Sequence, residues 1–281
     1  MMRHAFRLVN VFAEAPLAGN PLCVFEDARG LDEATMQALA LQFNLSETTF
    51  VLPSAAATAQ VRIFTPTFEM PFAGHPTLGT AHVVRELTGA GDRLTLEMRA
   101  GRIPVSAEGD RWTLDANAPR HRAPQATRAQ LASMLGLAEP DIGPGPPLWV
   151  DTGSEQLVIP LQSFGAVRRT APRADALLAY AGNAARAMAY VFAREGDHVL
   201  CRFFFPKQGA VIEDPGTGSA CANLGGWLLA TNAALPQRLT LDQGEAVSRP
   251  CHLGLEVTFD RRIRVSGRVV EIGRGALELP A

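Results

Sequence analysis

Short runs of apolar residues, continuous or alternating with polar ones, recur along the chain at lengths typical of β-strands. In the first part of the chain this pattern predicts strands at Phe6–Phe12, Leu22–Phe25, Thr48–Leu52, Gln60–Phe64, Leu94–Met98 and Arg111–Leu114. In the second part it predicts strands at Leu148–Val150, Gln156–Leu161, Ala187–Phe192, Val199–Phe205, Leu239–Leu241, Leu253–Phe259 and Ile263–Ile272. The chain is therefore predicted to be rich in β-structure.

Apolar residues at helical spacing interrupt the strands in a few places. Asp32 is placed to cap a helix that ends near Phe43, and Pro76 suits the first turn of a second helix. A third helix is predicted from Gly218 to about Thr231. Almost every position of this helix is small or apolar, which is typical of a helix enclosed by a curved sheet.

The two parts of the chain repeat one another. The segment RIFTP at 62–66 reappears as RFFFP at 202–206, an offset of 140, and at that offset Thr77 falls on Thr217. A second echo, LTLE at 94–97 against LTLD at 239–242, lies at an offset of 145. The repeat predicts two related halves. The Pro-, Arg- and Gly-rich stretch Ala118–Pro147, helical after Thr127, is interpreted as the passage between them.

Composition sets limits on the class of protein. A chain of 281 residues with 47% hydrophobic content can form two domains, each with its own core. With a net charge of −2 and no run of basic residues, the sequence gives no indication of a basic surface that would bind nucleic acid or an anionic membrane. No apolar run approaches the ~20 residues that span a bilayer, so we expect a cytoplasmic protein. The cysteines, Cys23, Cys201, Cys221 and Cys251, lack CxxC spacing and are expected to be small buried residues.

Two glycine-containing turns precede the predicted central helices of the halves, at 74–77 (GHPT) and at 216–219 (GTGS). The first backbone N–H groups of a helix have no partner within the helix, and they attract carboxylates and phosphates. For a single turn, the simpler interpretation is that glycine permits the turn and that Thr217 or Ser219 caps the helix. Two such turns in matching halves favour an anion site.

Near these turns lie three ionisable residues suited to proton transfer, Glu47, His75 and Asp214. From spacing alone, Glu47 is equally a residue that closes the preceding helix together with Ser46, and Asp214 is equally a cap of the following turn. His75 between glycine and proline gains nothing evident from packing, although a structural hydrogen-bonded role stays open.

The segments GNPLCVF, SETTFV, RIFTPTFEMPFAGHPTLGTAH and EDPGTGSACANLGGWL, in this order, resemble the phenazine-biosynthesis PhzF-like isomerase family. The resemblance extends through TGSEQLVIPL at 152–161 and QGEAVSRPC at 243–251. It implies the α+β diaminopimelate epimerase-like fold, with two pseudo-twofold-related domains, each a curled, mostly antiparallel sheet around a central helix. The implied halves are residues 1–118 and 148–281, joined by 119–147, with the active site between the halves.

The resemblance also implies roles for individual residues. Glu47 corresponds to the family's proton-shuttling glutamate, and His75 and Asp214 correspond to residues that position the substrate and assist proton movement. The substrate-binding residues implied in this way are Asn20, Gly74, Thr217, Gly218 and Ser219. The family often forms homodimers, and we expect one here.

Cysteine, cofactor and metal chemistry find little support in the sequence. Related epimerases use a cysteine pair in these turns, where this chain carries Ala73 and Pro215, and Cys221 lies inside a predicted helix. The single lysine, Lys207, has no phosphate-site pattern around it, and no nicotinamide or metal motif occurs. We therefore expect no cofactor and no metal.

These observations favour a cofactor-independent isomerase that moves a proton within a small carboxylated metabolite, with Glu47 as both base and acid. Two alternatives stay open. One is an amino- or hydroxy-acid epimerase or racemase, and the other is a small-molecule binding protein that performs no chemistry.

Overall fold

The computed structural model describes residues 2–183 and 186–279. Its strands are β1 (Met2–Val11), β2 (Asn20–Phe25), β3 (Glu47–Leu52), β4 (Ala59–Phe64), β5 (Glu69–Met70), β6 (Arg93–Met98), β7 (Gly101–Glu108), β8 (Arg111–Asp115), β9 (Arg120–Arg122), β10 (Leu148–Asp151), β11 (Glu155–Pro160), β12 (Ala189–Glu195), β13 (His198–Lys207), β14 (Ala210–Asp214), β15 (Gln237–Gln243), β16 (Cys251–Val257) and β17 (Ile263–Leu279).

Its helices are α1 (Glu33–Phe43), α2 (Gly74–Thr88), α3 (Arg128–Met134), α4 (Phe164–Arg169), α5 (Ala174–Tyr180) and α6 (Gly218–Ala230), with short 3₁₀ helices at Glu139–Asp141 and Glu245–Val247. Every strand and helix named from the sequence pattern is confirmed, with shifts of a few residues at the ends, except that β17 continues past the predicted end at Ile272 to Leu279. The pattern missed several short or polar elements, namely β5, β7, β9, β14, α4 and α5.

The chain divides into two compact units, Met1–Asp115 with Ser266–Ala281 and Ala116–Val265. These units differ from the predicted halves in two places. The C-terminal segment belongs to the first unit because β17 pairs with both β1 and β8. Residues 119–147 belong to the second unit, where β9 pairs with β10 and α3 joins the core.

In the first unit the sheet closes on itself. Following the ladders gives the order β17, β1, β2, β3, β4, β6, β7, β8 and back to β17. The β2–β3 and β4–β6 pairs are parallel, and the other pairs with printed registers are antiparallel. Helix α2 contacts strands around this ring and is buried from His75 to Val84. A Cβ added at Gly79 would lie 2.6 Å from Leu22, so helix and barrel pack too closely for any larger residue.

The second unit repeats this connectivity. Strands β10 to β13 pair in sequence as β1 to β4 do, with the β11–β12 step parallel, and β15 joins β13 in parallel before it pairs with β16. Helix α6 is its central helix and contacts β10, β11 and β16. At Gly226 an added Cβ would lie 2.7 Å from Val150. The predicted fold class, a curled and mostly antiparallel sheet around a central helix in each unit, is confirmed.

The registers correct one detail of the predicted repeat. Ile63 pairs with Met70 in the first unit, and Phe203 pairs with Asp214 in the second, so the offset is 140 before this hairpin and 144 after it. The second hairpin is four residues longer. Thr77 therefore does not match Thr217, because Thr77 lies within α2 whereas Thr217 is the N-cap of α6.

Candidate active site

The first group of predicted site residues lies at the N-terminus of α2. Glu47 begins β3, and Asn20 begins the neighbouring strand β2. His75 is the second residue of α2, and its Nε2 lies 3.4 Å from Oε2 of Glu47. The Glu47 side chain is 15% exposed, and its Oε2, the oxygen beside His75, is buried. The structure thus brings Asn20, Glu47, Gly74 and His75 together.

Burial decides the charge of His75. Loss of solvation lowers the pKa of its imidazole to about 3, and a hydrogen bond to the backbone of Pro21 opposes this shift. The ring is therefore neutral near pH 7. Its Nδ1 lies 3.4 Å from Nδ2 of Asn20, a long contact that holds the ring between Asn20 and Glu47. The imidazole therefore places no positive charge beside the Glu47 carboxylate.

Capping of the preceding helix does not account for Glu47. Helix α1 ends at Phe43, and its C-cap is Asn44, whose N–H donates to the carbonyl of Ala40. Glu47 lies beyond this cap and belongs to a strand. Thr49, on the same face of β3, hydrogen-bonds Thr80 of α2 at 2.8 Å, so this face of the strand is directed at the central helix.

The second group of predicted site residues lies at the N-terminus of α6. Asp214 ends β14, and the hydroxyl of Thr217 donates a short hydrogen bond to its Oδ2. Gln243 joins both residues, because its Nε2 donates to the Asp214 carbonyl at 2.8 Å and to Thr217 Oγ1 at 2.9 Å. The N–H of Thr217 donates to Oε1 of Gln243 at 3.3 Å. The hydroxyl and amide protons of Thr217 are thus both used within its own unit.

Ser219 belongs to a separate polar chain in the same unit. Gln156 Nε2 donates to Ser219 Oγ at 2.9 Å, and Asn223 Nδ2 donates to Gln156 Oε1 at 2.8 Å. Gln156 and Asn223 are almost completely buried. Sequence reasoning missed Gln156, Asn223 and Gln243. The available signal was a polar residue at an otherwise apolar position, as with asparagine in the helix ACANLGGWLL.

The N-termini of the two central helices have no side-chain cap, as is also the case for the short helix α5. Asp32, Thr127 and Ser163 cap α1, α3 and α4 with side-chain oxygens. The N-caps of α2 and α6 are Ala73 and Thr217, and neither makes a side-chain capping bond. Uncapped N–H groups at the positive end of the helix dipole are suited to bind an anion.

Within residues 2–183 and 186–279, no cluster of three or more His, Cys, Asp or Glu side chains is arranged to hold a metal ion. The cysteines are all free and buried, as predicted. Burial raises the pKa of each thiol, and for Cys221 raises it well above the usual value. None of the helices formed by the described residues is both long and apolar enough to cross a membrane.

The family model described as phenazine biosynthesis-like protein, PhzC–PhzF, matches residues 9–275. The chain belongs to this family. Two curated relatives show how closely it resembles other members. It is 40% identical over 286 residues to an uncharacterized isomerase of Pasteurella multocida, with 99% of this chain and 95% of the relative covered. It is 36% identical over 258 residues to trans-2,3-dihydro-3-hydroxyanthranilate isomerase of Pseudomonas aeruginosa, with 89% of each covered.

A solved structure supports the same conclusion for the fold. The phenazine biosynthesis protein of the PhzF family from Bacillus anthracis superposes with a TM-score of 0.89 at 26% identity, covering 99% of this chain and 100% of that one. The predicted family and the diaminopimelate epimerase-like fold are thus confirmed. The protein is an isomerase of the phenazine biosynthesis-like family, which leaves no support for the alternative of a binding protein without chemistry.

Proposed function

We propose that this isomerase moves a proton from one carbon to another of a small carboxylated metabolite, with Glu47 as the single acid/base and without a cofactor. An isomerisation of this kind changes neither the composition nor the oxidation level of the substrate overall. One group that takes the proton and returns it elsewhere is therefore sufficient.

The observation that carries the proposal is the pairing of Glu47 with a neutral His75. Oε2 of Glu47 lies 3.4 Å from Nε2 of a buried imidazole whose pKa is lowered to about 3. A positively charged neighbour would hold the Glu47 carboxylate in its ionised form and oppose its return to the acid. A neutral imidazole beside the carboxylate carries no such penalty, so Glu47 can act first as base and then as acid.

The assignment of a carboxylated substrate is supported by the uncapped helix N-termini. Gly74 begins α2 and Gly218 begins α6, with no side-chain cap on either helix. We assign the amides at Gly74 and Gly218, the Ser219 hydroxyl and Asn20 to substrate binding. Asp214 assists proton movement, and Thr217, with its protons committed to Asp214 and Gln243, holds that carboxylate in place.

The substrate class follows from a relative. The compound in the name of the Pseudomonas aeruginosa relative, trans-2,3-dihydro-3-hydroxyanthranilate, is a cyclic amino-carboxylate. We extend to this chain the class of compact unsaturated carboxylates to which that compound belongs. This class suits a site that combines anion-binding amides with one proton-transferring carboxylate.

The test compares the Glu47→Gln variant with wild type by NMR in D₂O, with trans-2,3-dihydro-3-hydroxyanthranilate and a panel of small carboxylates. We expect Glu47→Gln to lose at least ~10²-fold of the proton-transfer rate, since the amide cannot take up the proton. Glu108→Gln, at an exposed glutamate of the same unit, is the matched control and should exchange deuterium at the wild-type rate.

Turnover by Glu47→Gln close to the wild-type rate would remove Glu47 from the mechanism. The runner-up, an amino- or hydroxy-acid epimerase, gives a different product. It would place deuterium at a stereocentre with inversion, whereas the proposed reaction shifts a double bond, and the NMR spectrum of the product separates the two.

A further inference from the structure

The buried amides behind Ser219 form a chain whose direction is set by the backbone. At its far end the N–H of Thr152 donates to Oδ1 of Asn223 at 3.0 Å, and the Thr152 hydroxyl donates to the same oxygen at 2.7 Å. Nδ2 of Asn223 donates to the carbonyl of Ser154 at 2.8 Å. A backbone N–H can only donate and a carbonyl can only accept, so the orientation of the Asn223 amide is fixed.

This fixed orientation propagates to the next amide. Nδ2 of Asn223 donates its other hydrogen bond to Oε1 of Gln156 at 2.8 Å, which leaves Nε2 of Gln156 directed at Ser219. Gln156 is 1% exposed and Asn223 is completely buried, so water cannot take the place of either partner. Rotating the Gln156 amide by 180° would bring its Nε2 against Nδ2 of Asn223, which places two donors face to face.

The consequence falls on the hydroxyl of Ser219. Its oxygen accepts the hydrogen bond from Gln156 at 2.9 Å. Among the hydrogen bonds found in the described part of the chain, Ser219 Oγ appears as an acceptor and not as a donor. A hydroxyl has one proton, so this proton is directed away from Gln156 and is available to a ligand.

We propose that Gln156 is a positioning residue that makes Ser219 a hydrogen-bond donor and thereby sets the preference of the site for a carboxylate over an uncharged amide. The inference rests on the proposed function, in which Ser219 binds the substrate carboxylate. A carboxylate is acceptor-only, so a hydroxyl with a pre-set donor direction matches it. A carboxamide offers one acceptor oxygen without a negative charge, so the hydroxyl donates a weaker hydrogen bond to it than to a carboxylate.

The experiment measures, by calorimetry, the Kd of 3-hydroxyanthranilate and of its carboxamide for the wild-type protein and for Gln156→Met, Ser219→Ala and the double variant. Methionine keeps the length of glutamine and removes its donor and acceptor. We expect Gln156→Met and Ser219→Ala each to weaken carboxylate binding by about tenfold, with little change for the carboxamide. The double variant should bind the carboxylate no more weakly than Ser219→Ala alone, since both act through one hydroxyl.

A second substitution at Gln156 provides a test that does not depend on how well the methionine side chain fits the buried position. Gln156→Glu retains the size of glutamine and an acceptor for Asn223. Its carboxylate accepts a hydrogen bond from the Ser219 hydroxyl, which turns that donor away from the ligand, and it repels an anionic ligand. It should weaken carboxylate binding more than Ser219→Ala does. Gln162→Met, at an exposed glutamine of the same unit, is the control and should leave both Kd values unchanged.

The outcomes separate the two levels of the argument. Two results would contradict both the carboxylate assignment of the proposed function and this inference. One is unchanged carboxylate binding in Ser219→Ala. The other is wild-type protein that binds both probes equally or binds neither. Weaker binding in Ser219→Ala together with wild-type binding in Gln156→Met and Gln156→Glu overturns the role of Gln156 alone. Additive losses in the double variant overturn it too, because they show that Gln156 acts elsewhere.

Discussion

His75 and Cys221 show how burial controls chemistry at the scale of single residues. Both lie within the central helices of their units, and the protein interior suppresses the charged form of each side chain. The imidazole stays neutral, and the thiol stays protonated. A carboxylate on a partly exposed side chain, such as that of Glu47, is better suited than a buried thiol to exchange protons with a substrate.

The neutral state of His75 predicts a dependence of stability on pH. The pKa of His75 is about 3 in the folded protein, below its ordinary value of about 6.5, so on acidification the unfolded chain takes up the proton first. Stability is therefore fully present above about pH 6.5 and falls as the pH drops toward 3. For His75→Gln we expect this loss to be smaller, by on the order of 1 kcal/mol per pH unit below pH 6.

Urea unfolding of both proteins at neutral pH and at mildly acidic pH measures this difference. His121→Gln, at an exposed histidine, serves as control and should follow the wild-type pH dependence. A His75→Gln curve parallel to that of the wild type would show that the ring is protonated in the folded protein.

At the scale of elements, the first turn of α6 is organised by residues that come from elsewhere in the chain. Thr217 bonds Asp214 at the end of β14, and Gln243 at the end of β15 bonds both. The helix begins at Gly218 without a side-chain cap, so its N–H groups stay available while the residues around it are held in place. The first turn of α6 therefore combines residues held in place by hydrogen bonds with the helix end that we assign to anion binding.

Removing the Thr217 hydroxyl tests this arrangement. Thr217→Val keeps the shape of the side chain, removes the hydrogen bond that Thr217 donates to Asp214 and should lower the free energy of unfolding by about 1 kcal/mol. If Asp214 assists proton movement as proposed, the deuterium-exchange rate should fall by about tenfold. Both quantities are measured on the same preparation.

The matched control is Thr231→Val at the other end of the same helix, where the hydroxyl donates to the Trp227 carbonyl at 2.9 Å. This variant should lose a comparable amount of stability and keep the wild-type exchange rate. Equal effects of the two substitutions on exchange would mean that Thr217 supports only the fold.

At the scale of the whole molecule, the duplication preserves a charge pair as well as the connectivity. Arg62 bonds Glu69 across the β4–β5 hairpin of the first unit, and Arg202 bonds Glu213 across the β13–β14 hairpin of the second. Each guanidinium also lies over a phenylalanine ring two residues along its strand, at 5.1 Å in the first unit and 4.8 Å in the second. The longer second hairpin leaves this arrangement intact.

Because the two charge pairs are equivalent, we expect their removal to lower the stability of the two units by similar amounts. Glu69 and Glu213 are 6% and 8% exposed, so neutralising either carboxylate weakens a largely buried ion pair; Arg62 keeps a second carboxylate partner, the exposed Glu33. We expect Glu69→Gln and Glu213→Gln each to destabilise their own unit by about 2 kcal/mol. Amide hydrogen exchange followed by mass spectrometry should show faster exchange confined to residues 59–70 in the first variant and to 198–214 in the second.

Asp175→Asn, at the exposed Arg173–Asp175 pair, is the control and should leave exchange unchanged throughout. Loss of protection in only one of the two hairpins would show that the repeated charge pair does not have the same role in both units.

Several features were determined by the sequence alone. Apolar periodicity located the longer strands and helices, since burial of one face leaves a pattern that repeats every two or about four residues. The repeat of RIFTP as RFFFP revealed the related halves, and the GHP and EDPGTGS turns marked His75 and Asp214 as candidates. These signals are local, so they can be recognised without knowledge of the partners.

The tertiary structure alone decided what depends on distant partners. Strand β7 contains Pro104, which argues against a central strand. Proline is tolerated there because neither neighbouring strand needs a hydrogen bond from residue 104. On one side Pro104 lies opposite Thr95, whose N–H and C=O both bond to Thr58. On the other side the ladder with β8 begins one residue later, at Val105. The assignment of Ser266–Ala281 to the first unit likewise depends on the pairing of β17.

The same limit applies to the site. In the sequence, little distinguishes Gln156, Asn223 and Gln243 from other polar residues. Gln156 and Asn223 bond to partners 63 to 71 residues away, and Gln243 bonds to partners 26 to 29 residues away. Likewise, the pKa of His75 follows from its burial. Local pattern determined which residues were available for chemistry, and tertiary packing decided their hydrogen-bond direction and charge, because burial and long-range partners exist only in the folded chain.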